Sequence, residues 1–150
     1  GYPEYWSDED DGIPWITPAD MKFIKGEYIR NGTRYISEVG LSKSSAQLLP
    51  FGSVLMSSRA PIGYLGIAEV PLATNQGFKS VVLTNVDINR WVLKSLEAIM
   101  PSIKKRASGT TFKEISGNEF SVTLIPLPPL SEQCRIVAMI DRIMPKLTNQ

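Results

Sequence analysis

The spacing of apolar and polar positions changes character along the chain, and each change predicts an element. Residues 2–15, YPEYWSDEDDGIPW, carry two prolines, a glycine and four consecutive acids, and predict a loop anchored to a core by Tyr2, Tyr5, Trp6 and Trp15. LLPFGSVLMSSR predicts a turn at Pro50-Phe51-Gly52 and a strand through Val54, Leu55 and Met56. IGYLGIAEV and FKSVVLT predict further strands, joined around the Asn75-Gln76-Gly77 turn. Val81-Val82-Leu83 is an unbroken apolar run, as expected of a strand covered on both faces. The period then becomes helical. Asp87 is placed to cap a helix with apolar positions Trp91, Leu93, Leu96, Ile99, Met100 and Ile103, and Pro101 is expected to break or restart it. SGTTFKEIS (108–116) predicts a loop, and IPLPPL (125–130) a stiff, extended connector. From Ser131, a good N-cap, Ile136, Ile140, Ile143 and Leu147 fall at the 4-3-4 spacing of a coiled-coil seam, flanked by Val137 and Met144. Pro145 is expected to kink the last turn. A helix of about 30 Å at a chain end either takes a partner or folds back on its own domain.

Composition narrows the class. The chain has 150 residues, enough for one domain with a real core, and 43% apolar and 21% charged residues, which is ordinary for a soluble globular protein. No apolar run approaches the roughly 18 residues of a membrane helix, and no basic-then-apolar signal segment opens the chain. The single Cys134 forms no internal disulfide, and without histidine a structural zinc site is not expected; a reducing, cytoplasmic setting fits. The net charge of +1 conceals an asymmetry: residues 1–21 hold six acids and no base, whereas residues 22–113 hold thirteen Lys and Arg against five Asp and Glu. This is either a solvated surface with an acidic loop or a basic face toward phosphates.

Most catalytic chemistry is excluded by what is missing. Without histidine there is no Ser-His or Cys-His nucleophile pair. No GxxxxGK[ST] loop and no GxGxxG after a strand is present. PLPPL lacks the polar residue before and the aromatic residue after its prolines that an amino-methylating element requires. Asp8–Asp11 lack the spacing of a calcium loop. Asp20-Met21-Lys22 mimics the D-x-K end of a metal-dependent nuclease motif, a match of low specificity that keeps a nuclease as an alternative. Recognition remains. Arg pairs bidentately with guanine and Asn or Gln with adenine; Lys, Ser, Thr and backbone N–H groups hold phosphates. Arg59 in SSRAPIG (57–63), Asn75 and Gln76 in TNQG (74–77), Lys79 just after it, and Thr110, Thr111 and Lys113 in the 108–116 loop have these chemistries, among small residues that leave room for approach. Taken singly, each also serves as a turn or a cap. The triplet Lys104-Lys105-Arg106 either complements the end of its helix or contacts phosphate. Together these residues favour a reader of double-stranded DNA over a pure coiled-coil interaction module.

At these residues the chain resembles the specificity subunit of type I restriction–modification systems. The resemblance rests on PEYW…GIPWITPADM (3–21), ISEVGLSKSSAQLLPFGSVLMSSRAPIG (36–63), ATNQGFKS (73–80), ASGTTFKEIS (107–116) and IPLPPLSEQCRIVAMID (125–141), in the family's order. It implies an α+β target recognition domain (1–124) with a twisted, mainly antiparallel sheet and short helices. A proline-rich connector (125–130) and the start of a long coiled-coil spacer helix (131–150) would follow. It further implies recognition of half of a bipartite DNA site, no catalysis, and no cofactor in this chain. S-adenosylmethionine is expected on partner methyltransferase (M) subunits that methylate adenine, and a motor-nuclease (R) subunit cuts. A whole subunit of this family carries two such domains and two spacer helices, and the match begins partway into the domain. The expectation is therefore a fragment, or part of a half-size subunit that dimerises through the Ile136, Ile140, Ile143 and Leu147 seam. Members reading different targets share SSRAPIG, TNQG and GTTFKEIS. Arg59, Gln76, Thr110, Thr111 and Lys113 are thus expected to hold the DNA backbone or the loop architecture. Base reading is expected in the segment Lys22–Arg34, where Lys22, Lys25, Arg30, Asn31 and Arg34 have suitable chemistry.

Overall fold

The computed structural model describes residues 2–109, 111 and 113–148, with side chains through 144. Strands come first: β1 (Trp6–Ser7), β2 (Ile13–Ile16), β3 (Tyr28–Ile29), β4 (Arg34–Ile36), β5 (Gln47–Leu49), β6 (Val54–Met56), β7 (Leu65–Ala68) and β8 (Leu72–Thr74). Short helices α1 (Pro18–Met21) and α2 (Glu38–Lys43) interrupt them, and α3 (Asn89–Arg106), α4 (Gly117–Ser121) and α5 (Leu130–Thr148) follow. The α+β class is as expected, but there are two sheets rather than one, ordered β1-β4-β2-β8-β5 and β3-β7-β6. Their pairings are antiparallel except β2–β8 and β3–β7.

Strand β6 is the reason for the division. Successive side chains of a strand point to opposite faces, and all three residues of β6 are buried. Val54 and Met56 join Ile67 and the α3 residues Val92, Leu93, Leu96, Met100 and Ile103 in one core. Leu55 joins Ile16, Leu49, Leu72 and Phe78 in a second core beneath the larger sheet. β6 is thus a shared wall, which its apolar VLM sequence permits.

Several expectations need correction. The acidic segment at the start is not a plain loop: β1 and β2 flank its turn, and both pair with β4 opposite Ile36. These strands are too short to show alternation. FKSVVLT (78–84) forms no strand. It runs beside β6 with isolated bridges at Val81 and Phe78, and Val82 is 57% exposed rather than covered. The helical region opens with a 3-10 turn, Val86–Ile88, capped by Asn85, whose Oδ1 accepts from the Asp87 N–H at 3.0 Å; Asp87 is not the cap. α3 continues through Pro101. Proline deletes one hydrogen bond, to the carbonyl four residues earlier. Both Pro101 and Glu97 lie on the exposed side, where the freed carbonyl faces solvent, while the buried face from Trp91 to Ile103 stays continuous.

The connector and α5 are strapped to the domain. The Trp91 indole N–H donates to the Pro126 carbonyl at 2.8 Å, and the Gln133 side-chain amide donates to the Pro128 carbonyl at 2.7 Å. The Pro129 carbonyl accepts from Glu132 and Gln133, so the helix starts at Leu130, inside which Ser131 lies. Arg90 of α3 holds both Asp141 carboxylate oxygens at 2.8 Å and donates its Nε–H to Glu27 at 2.7 Å, where Lys94 also arrives at 2.7 Å. Burial alone would raise the Glu27 carboxyl, but Arg90 and Lys94 outweigh it and hold it below its ordinary value. These ties turn the predicted seam. Val137, expected at its flank, is buried; Ile136 and Ile140 are half-buried, and Ile143 stays 47% exposed. The side chain of Leu147 lies outside the described residues. Among the described residues, no helix is long and apolar enough to cross a membrane.

Candidate nucleic-acid interface

Three segments singled out in the sequence meet in space. Ser57 closes its own loop: its N–H donates to the Tyr64 carbonyl (2.9 Å), its hydroxyl donates to the Pro61 carbonyl (2.7 Å), and the same hydroxyl accepts from the Tyr64 N–H (2.9 Å). Ser58 then stitches outward. Its N–H donates to the Gly77 carbonyl at 2.8 Å, and its carbonyl accepts from the Ile115 N–H at 3.1 Å. SSRAPIG, TNQG and the Ile115 end of the third segment therefore form one seam of backbone. Both serines are fully buried, so their polar atoms must be paired internally. Gly63, at φ +104°, is where the loop meets α3: a Cβ there would lie 2.7 Å from Met100 Sδ and 3.2 Å from Lys104 Cε.

On this seam the basic side chains converge on Glu114. Arg59 Nη1 lies 3.8 Å and Lys79 Nζ 3.6 Å from its carboxylate oxygens, and the Ser58 hydroxyl donates to it at 3.3 Å. Asn75 is occupied with the turn itself, its Oδ1 accepting from the Gly77 N–H at 2.9 Å. Gln76 is exposed and lines both a groove of about 800 Å³ shared with Lys79 and a smaller cleft of about 120 Å³ shared with Trp6 and Trp15. Thr111 and Lys113 are exposed; Thr110 lies outside the described residues. Beyond Gly63, Lys104 and Lys105 are exposed at the end of α3. Arg106 is not available in the same way. It donates to the Glu119 carbonyl and to the Thr123 hydroxyl (2.6 Å), and pairs with the Glu119 carboxylate at 3.7 Å.

The segment Lys22–Arg34 leaves and rejoins the domain through a closed neck, and in its middle β3 pairs with β7 and buries Ile29. Asp20 makes that neck. One carboxylate oxygen accepts from the Thr17 N–H (2.8 Å) and hydroxyl (2.5 Å), the other from the Thr33 N–H (3.0 Å) and hydroxyl (2.8 Å). The first pair belongs to a capping box that starts α1; the second ties the far end of the loop to its beginning. Burial pushes the Asp20 carboxyl up, but these four bonds prevail and hold it below its ordinary value. All of its acceptor capacity is spent on threonines, so the geometry does not support Asp20 as a nuclease ligand. Among the described residues, no group of His, Cys, Asp or Glu gathers to hold a metal ion. Beyond the neck, Lys22, Lys25 and Asn31 are exposed, Arg30 reaches Glu69 at 3.8 Å, and Phe23 is 76% exposed. Arg34 lies back over the Trp6 ring, 3.1 Å from its centroid, and Trp6 packs edge-on against Trp15 with centroids 4.9 Å apart.

Four features of the site are absent from the sequence reading: Glu114 as the common counter-ion, Asp20 as the neck, the Trp6–Trp15 platform under Arg34, and the exposed Phe23. Only the last two leave a trace in sequence, as aromatics beside an acidic run and inside a basic one. The Glu114 cluster and the neck depend on contacts between distant residues, the Ser58 hydrogen bond to Glu114 spanning 56 residues and the Thr33 bond to Asp20 spanning 13.

Comparison with known proteins identifies the family and the fold. Residues 7–150 match the family model described as the type I restriction modification DNA specificity domain. The chain is 35% identical over 140 residues to the type I restriction enzyme MjaIX specificity subunit of Methanocaldococcus jannaschii, covering 92% of this chain and 32% of that protein. It is 28% identical over 145 residues to the EcoR124I/EcoR124II specificity subunit of Escherichia coli, covering 93% and 35% respectively. A solved structure on complex assembly and conformational transition of the type I R-M system superposes with a TM-score of 0.74 at 26% identity, over 99% of this chain and 35% of that one. The HsdS subunit from Thermoanaerobacter tengcongensis shares the fold, with a TM-score of 0.70 at 22% identity over 99% of this chain and 34% of that one. The chain thus spans about a third of the length of the relatives it matches. It belongs to the type I restriction modification DNA specificity domain family.

Proposed function

We propose that this domain, residues 1–124, reads one half of a bipartite double-stranded DNA target for a type I restriction–modification complex and has no catalytic role itself. M subunits carrying S-adenosylmethionine would methylate adenine, and an R subunit would restrict, in the cytoplasm. The observation that carries the reading is the Lys22–Arg34 segment: exposed Lys22, Lys25 and Asn31 flank β3, which is anchored in the smaller sheet, and Asp20 joins the two ends of the segment through Thr17 and Thr33, as base reading requires of its supporting shell. The Arg59, Lys79 and Lys104 side of the molecule supplies phosphate contacts. The test is selection of bound duplexes from a random-sequence library by the assembled complex: one short motif should be enriched, and no enrichment rejects the reading. Lys104→Ala with Lys105→Ala should weaken binding to all sequences alike. The plot of log K against log salt should become shallower by about 0.9 for each phosphate the variant no longer neutralises. Arg106 is left intact, because it holds α4. An unchanged slope would mean that the lysines only complement the end of α3.

Residues 125–130 serve in this reading as the connector, and α5 as the start of a coiled-coil spacer. Val137 faces the domain, so the stripe left for a partner helix, or for a second copy in a homodimer, is Met139 and Ile143. Full burial of such side chains contributes roughly 1.5–3 kcal/mol each. Met139→Lys with Ile143→Lys should abolish assembly, read by sedimentation, and leave the melting temperature of the domain unchanged. Retained assembly would remove the spacer role from this face.

A further inference from the structure

We infer that Arg59, Lys79 and the Ser58 hydroxyl form a site for a DNA phosphodiester that Glu114 fills as an internal stand-in while no DNA is bound. The inference rests on the DNA-reading function proposed above and deepens it. The three donors come from two separate segments, yet all face one carboxylate: Arg59 at 3.8 Å, Lys79 at 3.6 Å and Ser58 at 3.3 Å. A guanidinium, an ammonium and a hydroxyl are the donor set that holds nucleic-acid phosphates. A carboxylate and a phosphodiester each bring one negative charge and two free oxygens, so the exchange leaves the site's charge unchanged.

The distances show why Glu114 is exchangeable. Where this molecule closes an ion pair structurally, at Glu27, Arg90 and Lys94 both arrive at 2.7 Å. The contacts of Arg59 and Lys79 with Glu114 are about 1 Å longer, beyond direct hydrogen-bond reach. The Arg59, Lys79 and Glu114 side chains are 38%, 25% and 37% exposed, so solvent and a ligand reach them. The backbone of Glu114 is fixed independently. Its N–H donates to the Ser108 carbonyl at 2.9 Å and its carbonyl accepts from the Ser108 N–H at 3.1 Å, so the side chain can swing out without moving the chain. Such a stand-in lowers affinity for every phosphate backbone equally. It therefore penalises unspecific binding, while a matched target compensates through the Lys22–Arg34 loop.

The test is Glu114→Gln, which keeps shape and removes charge. In the assembled complex, affinity for random-sequence duplex should rise roughly five- to tenfold at moderate salt, and the salt slope should steepen by about 0.9. The ratio of target to random affinity should fall. Adding Arg59→Ala should erase the gain. In the chain alone, inorganic phosphate should shift the Arg59 Nε–H resonance in Glu114→Gln and not in the parent. Glu114→Asp, which retracts the carboxylate but keeps its charge, covers the case where Gln unsettles the loop: it should show the same gain, smaller. Unchanged or weaker random-duplex binding by both variants overturns the inference, and Glu114 then only orders its loop. A phosphate shift in a complex that binds no duplex would support the anion site while sinking the DNA reading.

Discussion

Asp20→Ala is expected to lower the melting temperature by roughly 10 °C and to abolish sequence-selective DNA binding. The carboxylate accepts four hydrogen bonds, two of them from backbone N–H groups of Thr17 and Thr33, and it is buried. Removing it strands those donors and breaks the reciprocal half of the α1 capping box, together about 3 kcal/mol, and 1 kcal/mol shifts the midpoint of a domain this size by about 3 °C. Selectivity goes with it, because the loop loses the closure of its neck. The charge matters as well as the shape. Since the folded carboxyl lies below its ordinary value of 3.8, its contribution is complete above that pH and is lost as pH falls through the folded value. Asp20→Asn should therefore flatten the acid limb of the stability profile. A metal-dependent nuclease built on Asp20 would instead leave Asp20→Ala folded and remove magnesium-dependent cleavage by the parent. A melting temperature within about 2 °C of the parent would refute the neck.

Exchanging the Lys22–Arg34 loop for that of a family member with another target, while keeping Glu27 and Thr33, is expected to replace the recognised half-site. Arg59→Ala should weaken binding and leave the motif unchanged. A good bidentate base contact discriminates by about 1–3 kcal/mol, so two or three exchanged contacts redirect the preference by several orders of magnitude. Methylome sequencing of cells carrying each variant reads the outcome directly. If Arg59→Ala relaxes one base position and the loop exchange does not alter the motif, the roles of seam and loop are reversed.

The sequence carried the parts of this fold whose cause is local. β6 and β7 stand where the VLM and YLGIA patterns place them, and the apolar face of α3 holds the predicted residues. What failed was set by distant partners. FKSVVLT has strand composition, but it meets β6 only through isolated bridges and leaves Val82 to solvent. Pro101 reads as a break and is overridden by packing on both sides of it. The 4-3-4 seam of α5 was legible as a pattern, but not its rotation, because Arg90 draws Asp141, and with it Val137, toward α3. The same holds at the site. Arg59 and Lys79 were legible as candidates by side-chain type, whereas their shared counter-ion Glu114 emerges only once three segments are brought together.

The ion-pair chain from Glu27 through Arg90 to Asp141 bears on how this module can change in evolution. Glu27 lies inside the very loop whose exchange would alter the target, and it is also what holds Arg90 in line for Asp141 on α5. A loop that arrives by recombination without a carboxylate at position 27 would bring a new preference and, at the same stroke, loosen the terminal helix. If this loop reads bases as proposed, new specificities would be accessible chiefly through loops that preserve one acidic position unrelated to the bases read. This compatibility requirement filters which recombinants can still assemble.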